Sequence, residues 1–179
     1  MSNNDGTTTT NGAAAAGAAA AGGAAGAAAA GAAAGDTGAA NGAGPAGLLT
    51  EIDHVAIAVR DLEAAINYYA ETFGATVAHR ERIESDGVEE ALIKVADSYI
   101  QLLTPTSDSS PVAKYMEKKG EGIHHVGYRV DDCGVALQAV KDHGGQTIDQ
   151  APRPGSRGTT VAFVHPKTAF GTLIELVQE

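Results

Sequence analysis

The sequence predicts an α+β domain built from two repeated βαβββ modules, whose strands form one curved sheet around a shared cleft. The segment at 52–59, Ile-Asp-His-Val-Ala-Ile-Ala-Val, returns at 123–130 as Ile-His-His-Val-Gly-Tyr-Arg-Val. An acidic residue and an Ala-containing helical stretch follow each copy. The last strands also match, since 99–103 reads Tyr-Ile-Gln-Leu-Leu and 173–177 reads Leu-Ile-Glu-Leu-Val. Each module is too small to bury its own core, so we expect the two to pair.

The predicted domain covers residues 48–179, with module one at 48–111 and module two at 112–179. Residues 1–47 consist almost wholly of Ala, Gly, Thr and Asn and contain no Lys or Arg. Such a segment cannot bury enough apolar surface to offset the entropy lost on ordering. We therefore expect residues 1–47 to form a disordered tail, which lacks the basic start and bulky apolar core of a secretory signal.

Module one reads as a strand, a helix and three further strands. The first strand, 52–59, is rich in β-branched residues and close to alternating. Asp61 is placed to cap the next helix, whose apolar face starts at Leu62, and Gly74 is placed to end it. Strands are predicted at 76–82, 88–95 and 99–103, separated by turns at Ser85-Asp86-Gly87 and Asp97-Ser98.

A polar connector at 104–111 leads to module two, which opens with a short amphipathic helix at 112–119. The repeat continues with a strand at 123–130, a cap at Asp131-Asp132 and a helix at 134–143. Three further strands are predicted around 146–150, at 159–165 and at 171–177, with a loop rich in Pro, Gly and Arg at 151–158.

The composition excludes several classes of function. The formal net charge is −10, and −8 of it falls on the predicted domain, because Asp5 and Asp36 are the only charged side chains before residue 48. Binding to nucleic acid needs a basic face, so we expect no nucleic-acid partner. No stretch approaches the roughly 18 apolar residues of a membrane span, so we expect no membrane partner. The single cysteine, Cys133, allows no disulfide framework, and a cytoplasmic location fits it.

Four polar residues occupy equivalent positions of the two modules. His54 matches His125 in the first strands, and Gln101 matches Glu175 in the last strands. A polar side chain in the middle of a core strand is costly unless it has a partner. Two imidazoles, a carboxylate and an amide oxygen suit a divalent ion such as Zn, Co, Ni, Fe or Mn. The sequence therefore predicts that the cleft binds a metal ion through these four residues.

At these residues the chain resembles the vicinal-oxygen-chelate superfamily and, within it, the methylmalonyl-CoA epimerase family. The resemblance covers residues 49–179. Its most specific stretches are Gly-Glu-Gly-Ile-His-His at 120–125 and His-Pro-Lys at 165–167, whereas the strand motifs are shared across the superfamily. The resemblance implies paired βαβββ modules around one metal ion, with its ligands at the four positions that the repeat had already indicated.

The resemblance implies an isomerase that inverts C2 of methylmalonyl-CoA, interconverting the 2R and 2S forms by proton transfer through an enolate. It places the acid/base pair at Glu90 and Glu175, whereas strand alternation alone leaves Glu89 and Glu90 open. The implied cofactor is one divalent ion per site, cobalt ahead of zinc, nickel or manganese, with no other cofactor. A carboxylate that binds metal is a poor base, so Glu175 must loosen during turnover or act through its unbound oxygen.

The resemblance also implies a homodimer and a CoA moiety that lies across the protein surface. Cationic side chains near the mouth of the cleft would suit the CoA phosphates. Arg153, Arg157 and Lys167 are the candidates, although a solvated charge is the more common role of such residues.

Three other functions share the predicted fold. A glyoxalase I-type lyase, acting on a glutathione hemithioacetal, would use the same kind of metal site and a proton transfer through an enediolate. A metal-free ligand-binding module would have no use for four donors at equivalent positions. A ring-cleaving dioxygenase needs iron held by two His and one carboxylate, and the additional donor Gln101 argues against it.

Overall fold

The computed structural model describes residues 47–179, so the predicted tail at 1–47 lies outside the described residues apart from Gly47. Eight strands and three α-helices follow one another in this part of the chain. In chain order they are β1 (Leu49–Ala58), α1 (Leu62–Phe73), β2 (Val77–Ile83), β3 (Val88–Val95), β4 (Ser98–Pro105), α2 (Pro111–Lys119), β5 (Gly122–Val130), α3 (Cys133–Asp142), β6 (Arg153–Pro154), β7 (Thr160–Val164) and β8 (Ile174–Gln178). A single 3-10 turn, Ser156–Gly158, lies between β6 and β7.

The strands form one mixed sheet in the order β2-β3-β4-β1-β5-β8-β7-β6. Each half of the sheet contains the strands of one repeat, and the halves join at the antiparallel pair of β1 and β5. Within each half the first and last strands pair in parallel, β1 with β4 and β5 with β8. This arrangement confirms the predicted α+β fold of two βαβββ modules in one curved sheet.

An approximate two-fold axis passes through the pair of β1 and β5. Val55 lies opposite Val126, and these two residues are equivalent in the sequence repeat. On either side of them, His54 lies opposite Gly127 and Ala56 lies opposite His125. The two histidines are therefore placed symmetrically about the centre of the sheet. The register holds them there, because a slip of one residue would turn a strand's side chains to the other face.

The helices α1 and α3 begin at equivalent aspartates. Asp61 Oδ1 accepts the Ala64 N–H at 2.9 Å, and Asp132 Oδ1 accepts the Val135 N–H at 2.9 Å. Each carboxylate satisfies a backbone donor that the first turn of a helix leaves without an intrahelical partner. Both predicted caps are confirmed, and α1 also ends as predicted, at Gly74 in the left-handed conformation with φ 65°.

Two apolar clusters join these helices to one face of the sheet. Leu62 of α1 packs with buried residues of β3 and β4, among them Leu102. Leu137 of α3 packs with buried residues of β7 and β8, among them Leu176. Because side chains alternate along a strand, the neighbours of these residues, Gln101 and Glu175, are turned to the opposite face. The two helix-covered clusters thus leave that face for the polar site.

The strand predicted around 146–150 is wrong. Within the described residues this segment makes one isolated bridge, between Thr147 and Val164, and the strand that follows α3 is instead the two-residue β6 in the predicted loop. The cause is Asp149, whose Oδ2 accepts the Phe163 N–H at 2.8 Å. A backbone donor of β7 is thereby used by a side chain, so no regular ladder forms along it.

The helices are short, with 12 residues in α1, 9 in α2 and 10 in α3. Across residues 47–179 none of them has the length and apolar character needed to cross a membrane. Helix α2 begins at Pro111 because Ser110 Oγ accepts the Val112 N–H. It therefore starts at the last residue predicted for module one, and the module boundary at 111 stays a prediction.

Candidate metal centre and active site

Three of the predicted ligands meet on the face of the sheet away from α1 and α3. His54 Nε2 and His125 Nε2 lie 3.0 Å apart, and Glu175 Oε2 lies 2.9 Å from the first and 3.1 Å from the second. All three side chains are buried. Two imidazole nitrogens and a carboxylate oxygen aimed at one point form a donor set that can hold a divalent ion.

Gln101 is the fourth predicted ligand, and it would offer an amide oxygen. It pairs with Ala56 on β1, and Glu175 pairs in the same way with Gly127 on β5, so the repeat equivalence extends to the backbone register. The amide nitrogen of Gln101 donates to Glu90 Oε2, which leaves its carbonyl oxygen buried and without a hydrogen-bond partner. A buried acceptor of this kind costs free energy unless something binds it. The donor set therefore fits a divalent ion.

The charges of the three central groups are strongly coupled. Burial alone would lower the pKa of His54, but hydrogen bonds to Asp53 and Glu175 raise it to about 9. Burial alone would raise the pKa of Glu175, and hydrogen bonds from His125 and His54 instead hold it well below its ordinary value. Burial lowers the pKa of His125. A metal ion requires neutral imidazoles, so ion binding and protonation compete at this centre.

Asp53 fixes the orientation of the His54 ring. Its carboxylate is fully buried, and its Oδ1 lies 2.7 Å from His54 Nδ1. The carboxylate accepts a hydrogen bond, so in the neutral ring the proton is held on Nδ1 and the lone pair of Nε2 is left for a metal ion. Gly127 makes room for the ring, because a Cβ at this residue would lie 2.3 Å from His54 Cε1.

Glu90 lies on β3 in the same cleft, and Glu89 points away from it. Glu90 is fully buried, whereas Glu89 is partly exposed and pairs with Arg80 at 2.6 Å. Burial raises the pKa of Glu90, against the opposing effect of hydrogen bonds from Ser156 and Gln101. A carboxylate with a raised pKa accepts a proton more readily than an ordinary one.

The two modules differ at the position of Glu90. Glu90 pairs with Leu103 on β4, and Val161 pairs in the same way with Val177 on β8. Val161 is therefore the equivalent of Glu90 in module two, and it lines the same cleft. The donor set follows the two-fold axis, but the buried carboxylate of β3 has no counterpart on β7.

The cleft has a volume of about 770 Å³ including its open mouth, and Glu90, Gln101, His125 and Glu175 line it. The three cationic candidates differ in their contacts. Arg153 lies 3.2 Å from Asp86 and lines the cleft, and Lys167 is exposed. The side chain of Arg157 is only 15% exposed and pairs with Asp53 at 2.7 Å, so it is not a free surface cation.

Sequence reasoning missed Asp53 and Ser156. Strand alternation places Asp53 on the face opposite to His54, but an irregularity in the register between Ile52 and His54 lets both side chains meet. The signal available in the sequence was an acid directly before a candidate ligand. Ser156 belongs to the loop at 151–158, and no local pattern links it to Glu90.

The comparison with protein families agrees with this geometry. The Glyoxalase/Bleomycin resistance protein/Dioxygenase superfamily matches residues 53–163. The chain belongs to this superfamily. The sheet of two βαβββ modules is thus that of a glyoxalase-like domain, as the resemblance of the sequence predicted.

Relatives within this superfamily carry a more specific name. The ethylmalonyl-CoA/methylmalonyl-CoA epimerase of Cereibacter sphaeroides is 38% identical over 133 residues, which cover 73% of this chain and 99% of that protein. A variant of the Streptomyces coelicolor methylmalonyl-CoA epimerase, in complex with 2-nitronate-propionyl-CoA, is 40% identical with a TM-score of 0.71 and covers 73% of this chain and 98% of its own. A methylmalonyl-CoA epimerase in complex with methylmalonyl-CoA and NH4+ is 41% identical with a TM-score of 0.71, covering 73% and 95%. The predicted resemblance to this family is confirmed.

Proposed function

We propose that this glyoxalase-like chain is a methylmalonyl-CoA epimerase, an isomerase that interconverts the 2R and 2S forms at C2 of methylmalonyl-CoA. The observation that carries the proposal is the position of Glu90, a buried carboxylate with a raised pKa in the same cleft as the candidate ligands Gln101, His125 and Glu175. A thioester acidifies the proton on the adjacent carbon, and its removal gives an enolate. The reaction therefore needs a base beside that carbon and positive charge at the enolate oxygen.

The proposed metal ligands are His54, Gln101, His125 and Glu175. The two imidazole nitrogens and the Glu175 oxygen are supported by their convergence, and the carbonyl oxygen of Gln101 is supported by its burial without a partner. When bound, a divalent ion supplies positive charge where the negative charge of the enolate develops. Cobalt is the proposed ion, and zinc, nickel or manganese suit the same mixed donors.

Glu90 and Glu175 are the proposed proton-transfer pair. Inversion needs one group on each face of C2, so that a proton leaves from one side and another arrives from the opposite side. Gln101 donates to Glu90 Oε2, and this hydrogen bond fixes the carboxylate while its Oε1 stays without a partner. Both imidazole contacts of Glu175 use Oε2, which leaves Oε1 for proton transfer.

The substrate is held by groups beyond the reacting carbon. The cleft, with its volume of about 770 Å³ including the open mouth, would take the acyl end of the thioester, and Arg153 at its wall can pair with an anionic group of the substrate. A homodimer in the cytoplasm is part of the proposal. The one cysteine, Cys133, is buried and needs no oxidising compartment.

Proton exchange at C2 tests this function. Metal-stripped protein is reloaded with cobalt, methylmalonyl-CoA is added in deuterated water, and proton NMR follows the signal at C2. We expect rapid exchange with cobalt and slow exchange in the stripped protein. Parallel samples with zinc, nickel and manganese rank the ions, and light scattering of the same samples gives the oligomeric state.

The alternatives give different outcomes in the same assay. Turnover of the hemithioacetal of methylglyoxal and glutathione, with no exchange in methylmalonyl-CoA, would replace the epimerase with a glyoxalase-type lyase. Failure of the protein to bind any of the four ions, with neither substrate turned over, would favour the metal-free binding module.

A further inference from the structure

The Ser156–Gly158 turn belongs to the second module but contacts the first. The Arg157 guanidinium donates to Asp53 Oδ1 at 2.7 Å and lies over the ring of Tyr99, 4.8 Å from its centroid. The Arg157 backbone N–H donates to Glu81 Oε2 at 3.0 Å. One residue of the turn thus contacts three elements of module one, the strands β1, β2 and β4.

Arg157 adopts a backbone conformation that is unusual for a residue with a side chain. Its φ is 57° and its ψ is 17°, in the left-handed region, between Ser156 and a glycine with φ 74°. Such a conformation costs free energy and persists where the surroundings hold it. Here the contacts with Asp53, Tyr99 and Glu81 hold it, and they leave the guanidinium largely out of reach of a ligand phosphate.

Asp53 connects the turn to the candidate metal centre. Its carboxylate receives three hydrogen bonds, from His54 Nδ1 at 2.7 Å, Arg157 Nη2 at 2.7 Å and Arg129 Nη2 at 3.0 Å. A fully buried carboxylate requires such partners. With Arg157 removed, Asp53 would keep one guanidinium and gain access to water, and its hold on the His54 ring would loosen.

The same turn reaches the candidate base. Ser156 lies beside Glu90 in the cleft, where its side chain lowers the pKa of that carboxyl against the effect of burial. The carbonyl of Ser156 accepts the backbone N–H of Thr159 at 3.0 Å and its hydroxyl at 2.8 Å, which fixes the serine from the other side. Two adjacent residues of the turn therefore reach the candidate site. Arg157 binds Asp53, which holds the candidate ligand His54, and Ser156 lies beside Glu90, the candidate base.

We propose that Arg157, in the Ser156–Gly158 turn of module two, is a positioning residue that fixes the orientation of two side chains of module one, His54 and Glu90. Through Asp53 it orients the imidazole of His54 toward the metal. Through the backbone of the turn it holds the side chain of Ser156 beside the carboxylate of Glu90. The effect on Glu90 rests on the proposed epimerase function, whereas the effect on His54 concerns metal binding alone. Arg157 touches neither the ion nor the substrate.

The test compares four variants in two readouts. Isothermal titration calorimetry and the visible absorption spectrum of bound cobalt report on the metal centre without substrate, and proton exchange at C2 reports on the base. We expect Arg157→Ala to weaken cobalt binding by about 10- to 100-fold, as loss of an orienting partner of a metal ligand does, and to change the cobalt spectrum. The same variant should also slow exchange when the metal is kept saturating.

The other variants separate the two effects. Ser156→Ala should slow exchange with unchanged cobalt affinity, because Ser156 contacts Glu90 and not Asp53. Arg157→Lys keeps a positive charge at Asp53 but loses the planar contact with Tyr99, and we expect values between those of Arg157→Ala and the unmodified chain. Arg82→Ala, at an exposed arginine that pairs with Glu84, should change neither readout.

Three outcomes would overturn the proposal. Unchanged cobalt affinity, spectrum and exchange in Arg157→Ala would make the residue merely structural. A raised KM with unchanged cobalt affinity and kcat would assign Arg157 to binding of the CoA moiety instead. If Arg157→Ala does not fold, Arg157→Lys decides, and values equal to those of the unmodified chain would exclude the positioning role. If the unmodified chain shows no exchange, the epimerase function fails, and the cobalt readouts still test the link through Asp53.

Discussion

The imidazole of His54 occupies the space that a side chain on Gly127 would need. The two residues lie directly opposite each other in the pair of β1 and β5, and a Cβ on Gly127 would come within 2.3 to 2.7 Å of three ring atoms of His54. The equivalent position in module one is Ala56, opposite His125, where a methyl group is accommodated. The two histidines therefore reach the same point from backbone surroundings that are not identical.

Gly127→Ala should displace the His54 ring and weaken metal binding. The added methyl group overlaps the ring, and Asp53 holds the other side of the imidazole, so the ring cannot retreat without losing that hydrogen bond. We expect cobalt affinity, measured by calorimetry, to fall at least about tenfold. Gly134→Ala in α3 is the control and should leave affinity unchanged. Equal affinity in Gly127→Ala and the unmodified chain would contradict the assignment of His54 as a ligand.

Glu90→Gln should abolish most proton exchange at C2 of the enantiomer that Glu90 deprotonates, while the protein still binds metal. A general base contributes about 10²- to 10⁴-fold to a proton transfer, and the amide cannot take its place. The matched control is Glu89→Gln on the same strand, which faces away from the cleft and pairs with Arg80. Rapid exchange of both the 2R and the 2S form in Glu90→Gln would remove this residue from the mechanism, and a loss confined to Glu89→Gln would transfer the role to its neighbour.

Gln101→Ala should affect both the metal centre and the base. The variant loses the buried carbonyl oxygen that we assign to the metal and the amide that donates to Glu90. We expect at least about tenfold weaker cobalt binding and slower exchange at saturating cobalt. Gln138→Ala, at an exposed glutamine that bonds to Asp142 on α3, serves as the control. Wild-type cobalt affinity in Gln101→Ala would show that its carbonyl oxygen is not a ligand.

Cys133 should resist alkylation in the folded protein. Burial and the nearby charges of Asp132 and Glu175 raise its pKa to about 11, so roughly one thousandth of the thiol is ionised at pH 8. Because the thiolate is the reactive form, labelling by iodoacetamide should be slow at pH 8 and speed up as the pH rises toward 11. Mass spectrometry of samples with and without guanidinium chloride checks this. Equal labelling rates in the two samples would argue against a buried thiol.

Leu137→Ala should destabilise the domain through the core under α3. Leu137 is 2% exposed and packs against β7 and β8, and such truncations cost about 2–5 kcal/mol of unfolding free energy. Val135 on the same helix is 53% exposed, so Val135→Ala should change stability by less than about 0.5 kcal/mol. Urea denaturation followed by circular dichroism measures both. A similar loss in the two variants would contradict the packing described for α3.

The repeat made most of the fold predictable, because residues at equivalent positions of the two modules have equivalent structural roles. The aspartate caps followed from their place before each helix, and the four candidate donors followed from their equivalence. The donors' role at a metal ion stays a prediction. The strand around 146–150 failed because a side chain, Asp149, took a backbone donor of β7. Asp53 was missed because an irregular register overrides alternation, and the contacts of Arg157 depend on a loop whose path no local pattern sets.

Because Val161 occupies the position equivalent to Glu90, the 2R and 2S forms of the substrate meet different proton acceptors. On the proposed mechanism, one enantiomer loses its proton to Glu90 and the other to Glu175. Glu90 accepts a hydrogen bond from Gln101, whereas Glu175 contacts two imidazoles. The forward and reverse reactions then have unlike proton acceptors. Substrate deuterated at C2 should show unequal primary isotope effects from the 2R and 2S sides, a kinetic handedness that two identical glutamates would have removed.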